Sequence, residues 1–473
     1  MKSREGSARA AFGVRRAACG PAPVAAALLT LLIAVAALGL APVPVYAAKP
    51  APETTAASAV LIDAKTGKVL YDKDMHAIRY PASLTKVMTG LLTLEYLQPD
   101  RVVTIDAETP FTKGSRIYLL EGEQVTVEQL FHALMIESAN DAAVALAKEI
   151  SGTTEAFAAL MNRRAKELGA LHTNFVNPNG LEDDAHVTTA HDIAVIAMAA
   201  MRNPEFRKTA ATYPYTLDQT NKQETRYFYN GNRLLYDEKH TVVYEGASRP
   251  IKYADATGIK TGYTAQAGNC LAASAARGDT ELIAVMLGAE GLNVYLDAIS
   301  LFEYGFDNYK SFQAIRADSP QGEVRVKNGA VKTAAIQTRT DAWVTIPASA
   351  SPSLVTTEPQ LPDRVAAPVT EGQVVGSLRI LLDGEELGVV DLTSAETVPL
   401  GGPLSRIGIT DETAGLIRNI VFAALGLSLF LLLAYVGLKR RQIKRRKRRR
   451  AERRARLAEE TRKQEELRRN WMK

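Results

Sequence analysis

A long apolar run near the C-terminus constrains this chain of 473 residues more than any other feature. Residues 420–438 carry no charge, and a helix over them would span about 28 Å, close to the hydrocarbon thickness of a bilayer. The segment 439–473 follows with 18 lysines and arginines against five glutamates. Because such clusters stay on the cytoplasmic side, we predict a juxtamembrane segment over 401–416, a transmembrane helix over 417–438 and a basic cytoplasmic tail over 439–473.

The N-terminus has the three parts of a secretory signal. A basic segment ends at Arg16, an apolar run covers 24–40, and small residues follow up to Ala47. We therefore predict a signal peptide over 1–47, with an uncleaved anchor as the alternative. Signal and C-terminal helix both predict a single-pass protein of the cell membrane whose folded body is extracytoplasmic.

Charge and cysteine content limit the partners of that body. The net charge of +5 comes from the two basic ends, so the residues between them are acidic overall. An acidic body argues against nucleic acid as a partner. Cys19 falls in the predicted signal, which leaves Cys270 without a second cysteine for a disulfide, and we predict that Cys270 is a small buried apolar residue.

The exported body divides into a linker over 48–57 and two folded parts. Between residues 58 and 309, short apolar strands precede and follow a helical centre. A sheet built from both ends of a domain and covered by helices is an α+β fold. Residues 315–400 are rich in strands, turns and prolines, and are predicted to form a separate small β domain. The predicted elements of the first part are a hairpin over 59–71, helices over 84–97, 142–150, 154–168, 191–201 and 294–309, and strands over 258–264, 270–276 and 282–287.

The first candidate chemical motif is Ser83-Leu84-Thr85-Lys86, at the start of a predicted helix. Residues three apart on a helix share a face, so the lysine amine can reach the serine hydroxyl. A serine becomes a good nucleophile when a neighbouring base takes its proton, and a lysine can be that base if burial or another cation lowers its pKa. A capping serine beside a solvated lysine gives the same pattern, so this motif alone is weak.

Two further motifs follow in an order that strengthens the first. Ser138-Ala139-Asn140 lies in a break between predicted helices, and Lys260-Thr261-Gly262 lies in a predicted strand. Alone, each could be a helix cap or an edge-strand lysine. Together, on a helix mouth, a loop and a strand, the three motifs are hard to explain by chance.

These motifs resemble those of the active-site-serine penicillin-binding proteins, in their D-alanyl-D-alanine carboxypeptidase branch. The likeness covers about 58–309, and a weaker one at 367–376 links the second part to the C-terminal β domain of that family. The resemblance implies a β-lactamase/transpeptidase-like catalytic domain, with an antiparallel sheet covered by helices, followed by a small all-β domain. Stretches that fit the branch are 81–86, 138–143, 177–181, 232–235 and 258–262.

The resemblance also implies an activity and residue roles. The enzyme would remove the terminal D-alanine from peptidoglycan stem pentapeptides through an acyl-enzyme, and β-lactam antibiotics would inhibit it. No cofactor or metal is expected. The implied roles are nucleophile for Ser83, general base for Lys86, proton relay for Ser138, positioning of the lysine and the substrate amide for Asn140, carboxylate binding for Lys260 and Thr261, close substrate approach at Gly262, and oxyanion binding by the N–H groups of Ser83 and Tyr263.

The chain departs from some relatives in two places. Some hold the substrate carboxylate with an arginine shortly after the last sheet strand, whereas this sequence has no arginine from 278 to 315. Tyr263 stands where another branch has a histidine. The cation that assists Lys260 is therefore open at this point.

Three other functions are consistent with parts of the pattern. A β-lactamase of the same fold would need a carboxylate to activate the deacylating water, and the acids between 177 and 184 are candidates. A non-catalytic wall-binding module would need an inert site. A D,D-endopeptidase activity is possible within the predicted class.

Overall fold

The computed structural model describes residues 48–472, so the predicted signal peptide over 1–47 and Cys19 lie outside the described residues. Residues 58–308 form an α+β domain. Its strands are β1 (Ser58–Asp63), β2 (Val69–Lys73), β3 (Val102–Thr104), β4 (Gln124–Thr126), β5 (Pro214–Leu217), β6 (Arg226–Tyr229), β7 (Thr241–Tyr244), β8 (Ala247–Pro250), β9 (Ala256–Thr264), β10 (Gly268–Arg277) and β11 (Thr280–Ala289). Its helices are α1 (Thr85–Tyr96), α2 (Val127–Ile136), α3 (Asn140–Ser151), α4 (Thr154–Leu168), α5 (Ala190–Met201), α6 (Pro204–Ala211) and α7 (Asn293–Asn308).

Five strands form the main sheet of this domain, in the order β2-β1-β11-β10-β9 with every neighbouring pair antiparallel. Successive side chains of β11 alternate between two cores: Ile283 and Val285 pack with the helical body, whereas Leu282 and Ala284 pack with α7. A strand that is buried on both faces reads as a continuous apolar run, as β11 does. The predicted α+β class and its layered antiparallel sheet are confirmed.

Helix α1 is the central helix of the body. Helices α2, α3 and α5 pack around it, and its side chains at Val87, Met88 and Leu92 are fully buried. A Cβ at Gly90 would lie 3.0 Å from the ring of Phe131, so glycine permits the close packing here. A helix held on several sides fixes the position of its first turn, which carries the first motif.

Most predicted elements are confirmed within a residue or two. The hairpin is β1–β2, and the three strands are β9, β10 and β11. A capping box between Thr126 and Gln129 starts α2. The predicted closing helix ends at Asn308, and Tyr309 already begins the next strand. Cys270 is buried, as predicted.

Part of the predicted linker packs on the α+β domain. The carboxylate of Asp297 on α7 accepts hydrogen bonds from the backbone N–H groups of Thr55 and Ala56, each at 2.9 Å. Ala56 is completely buried. The composition of 48–57 did not reveal this docking because its acceptor lies about 240 residues further along the chain.

Residues 309–394 form a β domain with its own apolar core. Its strands are β12 (Tyr309–Ile315), β13 (Pro320–Lys327), β14 (Thr333–Thr338), β15 (Ala342–Pro347), β16 (Val355–Gln360), β17 (Val365–Ala366), β18 (Val374–Leu382) and β19 (Glu385–Ser394). Six of these strands make one sheet, in the order β16-β18-β19-β14-β13-β17, and β12 pairs with β15. The predicted all-β domain is confirmed.

The chain ends in a long helix, α8 (Asp411–Trp471), which begins with Thr410 as its N-cap. Among the described residues, α8 is the one helix long and apolar enough to cross a membrane. Its apolar residues are exposed rather than packed in a protein core. A C-terminal apolar helix of this kind fits a membrane anchor.

Candidate active site

The first motif places a lysine amine against a serine hydroxyl. Ser83 lies in a 3₁₀ turn, Ala82–Leu84, that leads directly into α1. The Nζ of Lys86 lies 3.0 Å from the Oγ of Ser83, within hydrogen-bond distance. The 3₁₀ turn is continuous with α1, so residues 83 and 86 lie on the same face of the helix and their side chains meet.

Lys86 is fully buried, although it is a lysine. Its Nζ also donates to the carbonyl of Asn179 at 2.7 Å. Burial is the main cause that holds the pKa of Lys86 well below its ordinary value, and the charge of Lys260 lowers it further, against the carboxylate of Asp141. A lysine in this environment can be neutral near pH 7 and accept a proton.

The second motif forms the loop between α2 and α3. Ser138 has a left-handed backbone, with φ of 59°, and lines the same cleft as Ser83. The amide of Asn140 donates to the carbonyl of Lys113 at 2.7 Å, and its backbone N–H donates to the carbonyl of Ser115 at 2.7 Å. The asparagine therefore ties the loop of Ser138 to the neighbouring loop at 113–115.

The third motif is on β9, at the edge of the main sheet. Lys260 is buried, and burial lowers its pKa to about 7, against a raising effect of Glu137. A Cβ at Gly262 would lie 3.0 Å from the backbone nitrogen of Ser83. Strand β9 therefore lies directly against the turn that carries the serine, and the glycine makes that approach possible.

A cleft of about 500 Å³ joins these elements. Five of the eight predicted site residues line it, while Lys86, Asn140 and Lys260 are buried and do not line it. Among the residues that the structure describes, no aspartate or glutamate lines this cleft. The five are Ser83, Ser138, Thr261, Gly262 and Tyr263.

A buried histidine behind the serine turn was missed as a site residue in the sequence. The Nδ1 of His186 accepts a hydrogen bond from the N–H of Val176, so its Nε2 carries the proton and donates to the Oγ1 of Thr85 at 2.8 Å. Thr85 in turn donates to the carbonyl of Ala82 at 2.9 Å. Burial lowers the pKa of His186 to about 4, which keeps the ring neutral.

The loop at 177–180 closes the back of the site. A Cβ at Gly180 would lie 1.8 Å from the carbonyl oxygen of Ala82, and its φ is +86°. This loop also presents the Asn179 carbonyl to Lys86. The acids that follow point elsewhere: Glu182 accepts from the N–H of Gln266, and Asp184 accepts from its side-chain amide.

Arg233 is a second residue that the sequence reasoning missed. It lines the cleft together with Thr261 and Tyr295, and its guanidinium lies 3.5 Å from the carboxylate of Asp237. It precedes the cleft strand β9 in the chain, whereas the arginine of some relatives follows the last sheet strand, which is β11 here. Its place in Asn232-Arg233-Leu234-Leu235, a stretch already matched to the branch, was the available signal.

Comparisons with known proteins give the same assignment for both domains. A family model described as D-alanyl-D-alanine carboxypeptidase matches residues 45–291. A second model, described as penicillin-binding protein 5, C-terminal domain, matches residues 309–400. The first match alone covers more than half of the chain.

Individual relatives agree with the family matches. The D-alanyl-D-alanine carboxypeptidase DacF of Bacillus subtilis is 33% identical over 79% of this chain and 95% of its own length. DacC of Escherichia coli, another D-alanyl-D-alanine carboxypeptidase, is 32% identical over 76% of this chain and 88% of its own length.

Solved structures extend the similarity to the fold. Penicillin-binding protein 5 of Haemophilus influenzae superposes with a TM-score of 0.63 at 29% identity, over 74% of this chain and 99% of that chain. DacD of Francisella tularensis gives a TM-score of 0.53 at 27% identity, over 77% of this chain and 98% of that chain. The chain belongs to the D-alanyl-D-alanine carboxypeptidase family and is a serine-type carboxypeptidase of the penicillin-binding class.

Proposed function

We propose that Ser83 is the nucleophile that this carboxypeptidase uses on peptidoglycan stem pentapeptides. Lys86 takes the hydroxyl proton, and the Oγ of Ser83 forms a bond to the carbonyl carbon of the penultimate D-alanine. The C–N bond to the terminal D-alanine then breaks, and water hydrolyses the serine ester. The contact of 3.0 Å between the Lys86 amine and the Ser83 hydroxyl carries this proposal, because the buried amine has a lowered pKa.

Ser138 is proposed to relay the proton to the leaving amine. Its position on the cleft wall and its left-handed backbone support this role. Asn140 is proposed as a positioning residue that fixes the Ser138 loop through its bonds to the carbonyls of Lys113 and Ser115. The Asn179 carbonyl, at 2.7 Å from the Lys86 amine, orients the base.

Carboxylate recognition is proposed for one end of the cleft. Lys260 supplies positive charge from its buried position on β9, and the Thr261 hydroxyl donates to the substrate carboxylate. Arg233 lines the same cleft and supplies the cation that the sequence left open. The N–H groups of Ser83 and Tyr263 bind the oxyanion, and Gly262 admits the substrate backbone beside the serine.

β-Lactam antibiotics are proposed to acylate the same serine. A β-lactamase would release the product quickly, for which it needs a carboxylate beside the deacylating water. No acid among the described residues lines the cleft, which favours a stable adduct over rapid turnover.

The membrane arrangement is a further part of the proposal. Helix α8 crosses the bilayer once, the basic residues from 439 onward lie in the cytoplasm, and the catalytic domain works on the outer side after removal of a signal peptide over 1–47. The exposed apolar part of α8 and the basic segment that follows it support this topology.

Mass spectrometry of the penicillin adduct tests the nucleophile. The labelled peptide should contain Ser83, and a pentapeptide that ends in D-Ala-D-Ala should release D-alanine. Ser83→Ala should lose both properties. Ser115→Ala is the matched control, because Ser115 lines the same cleft and should keep both. Labelling that survives Ser83→Ala would contradict the assignment.

A further inference from the structure

A second cavity, of about 520 Å³, lies in the β domain, at the point where the chain enters α8. Its walls come from β13, the start of β14, the residues before β17 and the segment that leads to Thr410, the N-cap of α8. None of the residues assigned to catalysis lines it. Among the described residues, no aspartate or glutamate lines it either. Its five cations are Arg325, Lys327, Lys332, Arg364 and Arg406.

These cations are free of ion pairs in the part of the chain that the structure describes. None of the five forms a salt bridge with a carboxylate of the described residues, although other arginines of the β domain do so. Arg379, for example, pairs with Glu386 at 2.6 Å. All five cavity cations are exposed. Five neighbouring cations repel one another. An anion that enters the cavity offsets this repulsion, so its binding is electrostatically favourable.

The local sequence explains how the cations gather. Along β13, Val324 and Val326 face the apolar core while Arg325 and Lys327 alternate with them on the outer face. The 3₁₀ helix Pro403–Ile407 brings Arg406 to the same cavity. This construction joins strands and the pre-helical segment around one concave charged surface.

The position of the cavity indicates the source of the anion. From Thr410 to Ile417, where the predicted transmembrane helix begins, α8 rises by about 10 Å, and the headgroup layer of one leaflet is about 5–8 Å thick, so a long arginine side chain at the cavity can reach the headgroups. The side chain of Ile407 is 72% exposed and that of Leu404 is 42% exposed on the adjacent turn. Apolar side chains beside a cationic pocket are typical of surfaces that rest on a lipid interface.

We propose that this cavity binds the phosphate of an anionic lipid headgroup and seats the β domain on the membrane surface. The guanidinium groups of Arg325, Arg364 and Arg406 donate hydrogen bonds to the phosphate oxygens. Leu404 and Ile407 contact the interface beside it. The inference rests on the proposed membrane anchoring by α8.

Hydrogen exchange of the full chain in lipid nanodiscs tests this site separately from the basic tail. Phosphatidylglycerol, compared with phosphatidylcholine, should slow exchange at 325–333 and 402–410 by about fivefold or more. The variant Arg325→Gln/Arg364→Gln/Arg406→Gln should lose this protection. Its exchange pattern in β18 and β19 reports whether the β domain is still folded.

The matched control is Arg163→Gln/Lys166→Gln/Lys239→Gln, which removes three exposed cations from the α+β domain and should keep the protection. Equal exchange in the two lipids, or protection that persists in the cavity variant, would overturn the proposal. Protection by inorganic phosphate in phosphatidylcholine nanodiscs, without an effect of phosphatidylglycerol, would assign the cavity to a soluble phosphate instead. Failure of the chain to stay in nanodiscs would contradict the anchoring itself.

Discussion

The ring of His186 and the hydroxyl of Thr85 lie 2.8 Å apart, directly behind the turn that carries Ser83. The histidine donates to the threonine, and the threonine donates to the carbonyl of Ala82. The chain of bonds ends one residue before the proposed nucleophile. The neutral state of a buried histidine is therefore part of what holds the serine turn in place.

His186→Asn should make the free energy of unfolding depend less on pH in the acidic range. The folded pKa of His186 is about 4, below its ordinary value of 6.5. As pH falls, the histidine is therefore protonated first in the unfolded chain. Between pH 6.5 and 4, this difference lowers the free energy of unfolding by about 3 kcal/mol. The variant should lose that contribution. Thermal unfolding at pH 7 and pH 4.5 measures it.

The control for the histidine is His172→Asn, at an exposed position, which should keep the pH dependence of the unmodified chain. An equal fall in unfolding temperature with acid for His186→Asn and the unmodified chain would contradict the role given to His186.

Gly180→Ala should disable the site. The added Cβ would lie 1.8 Å from the Ala82 carbonyl oxygen, so the serine turn or the 177–180 loop must move. Because a shift of about 1 Å can cost about 10²-fold in rate, we expect at least that loss in penicillin acylation. Stopped-flow acylation measures it.

Gly152→Ala separates steric contact from backbone strain. Gly152 has φ of +79°, close to that of Gly180, but nothing lies within 4 Å of its added Cβ. This control should lose about 1 kcal/mol of stability and acylate at the normal rate. Similar acylation rates in both variants would show that the contact with Ala82 has no role.

Lys260→Gln should move the acidic limb of the activity profile to higher pH. The charge of Lys260 lowers the pKa of Lys86, so its removal raises that pKa and leaves less neutral base at a given pH. We expect kcat/KM to fall most on the acidic side of the profile, where Lys260 carries its charge. Lys260→Arg keeps a charge and should keep the limb near its original position. A profile of kcat/KM against pH measures the position of the acidic limb. An acidic limb at the same pH in Lys260→Gln as in the unmodified chain would contradict the electrostatic coupling.

Arg233→Gln should weaken substrate binding more than chemistry. If the guanidinium donates to the terminal carboxylate, its loss should raise KM by about tenfold, while kcat changes little. Lys239→Gln, an exposed cation six residues away, is the control and should leave KM unchanged. Steady-state D-alanine release gives both constants. A fall in kcat at constant KM would instead indicate a role after binding.

The sequence predicted those parts of the site that depend on local geometry. Ser83 and Lys86 meet because one helical turn separates them, and β9 was recognisable from its alternating pattern over residues 258–264. The sequence did not reveal the Asn179 carbonyl on Lys86 or the contact of His186 with Thr85, because both depend on how a loop about 100 residues away folds back onto α1. Helix α6 and the short strands β5–β8 were missed, since short elements carry too few residues to show a clear period.

The two domains share more than a linker. Helix α7 ends at Asn308 and β12 begins at the next residue, so no loop separates the domains there. Ser311 on β12 donates to the carboxylate of Asp63, at the end of β1, and the Thr66 and Thr345 hydroxyls lie 2.8 Å apart. Such a joint resists bending. A cleft held on such a joint keeps a constant distance from the β domain. With α8 as the proposed membrane anchor, only strands of the wall at one distance from the membrane would be trimmed.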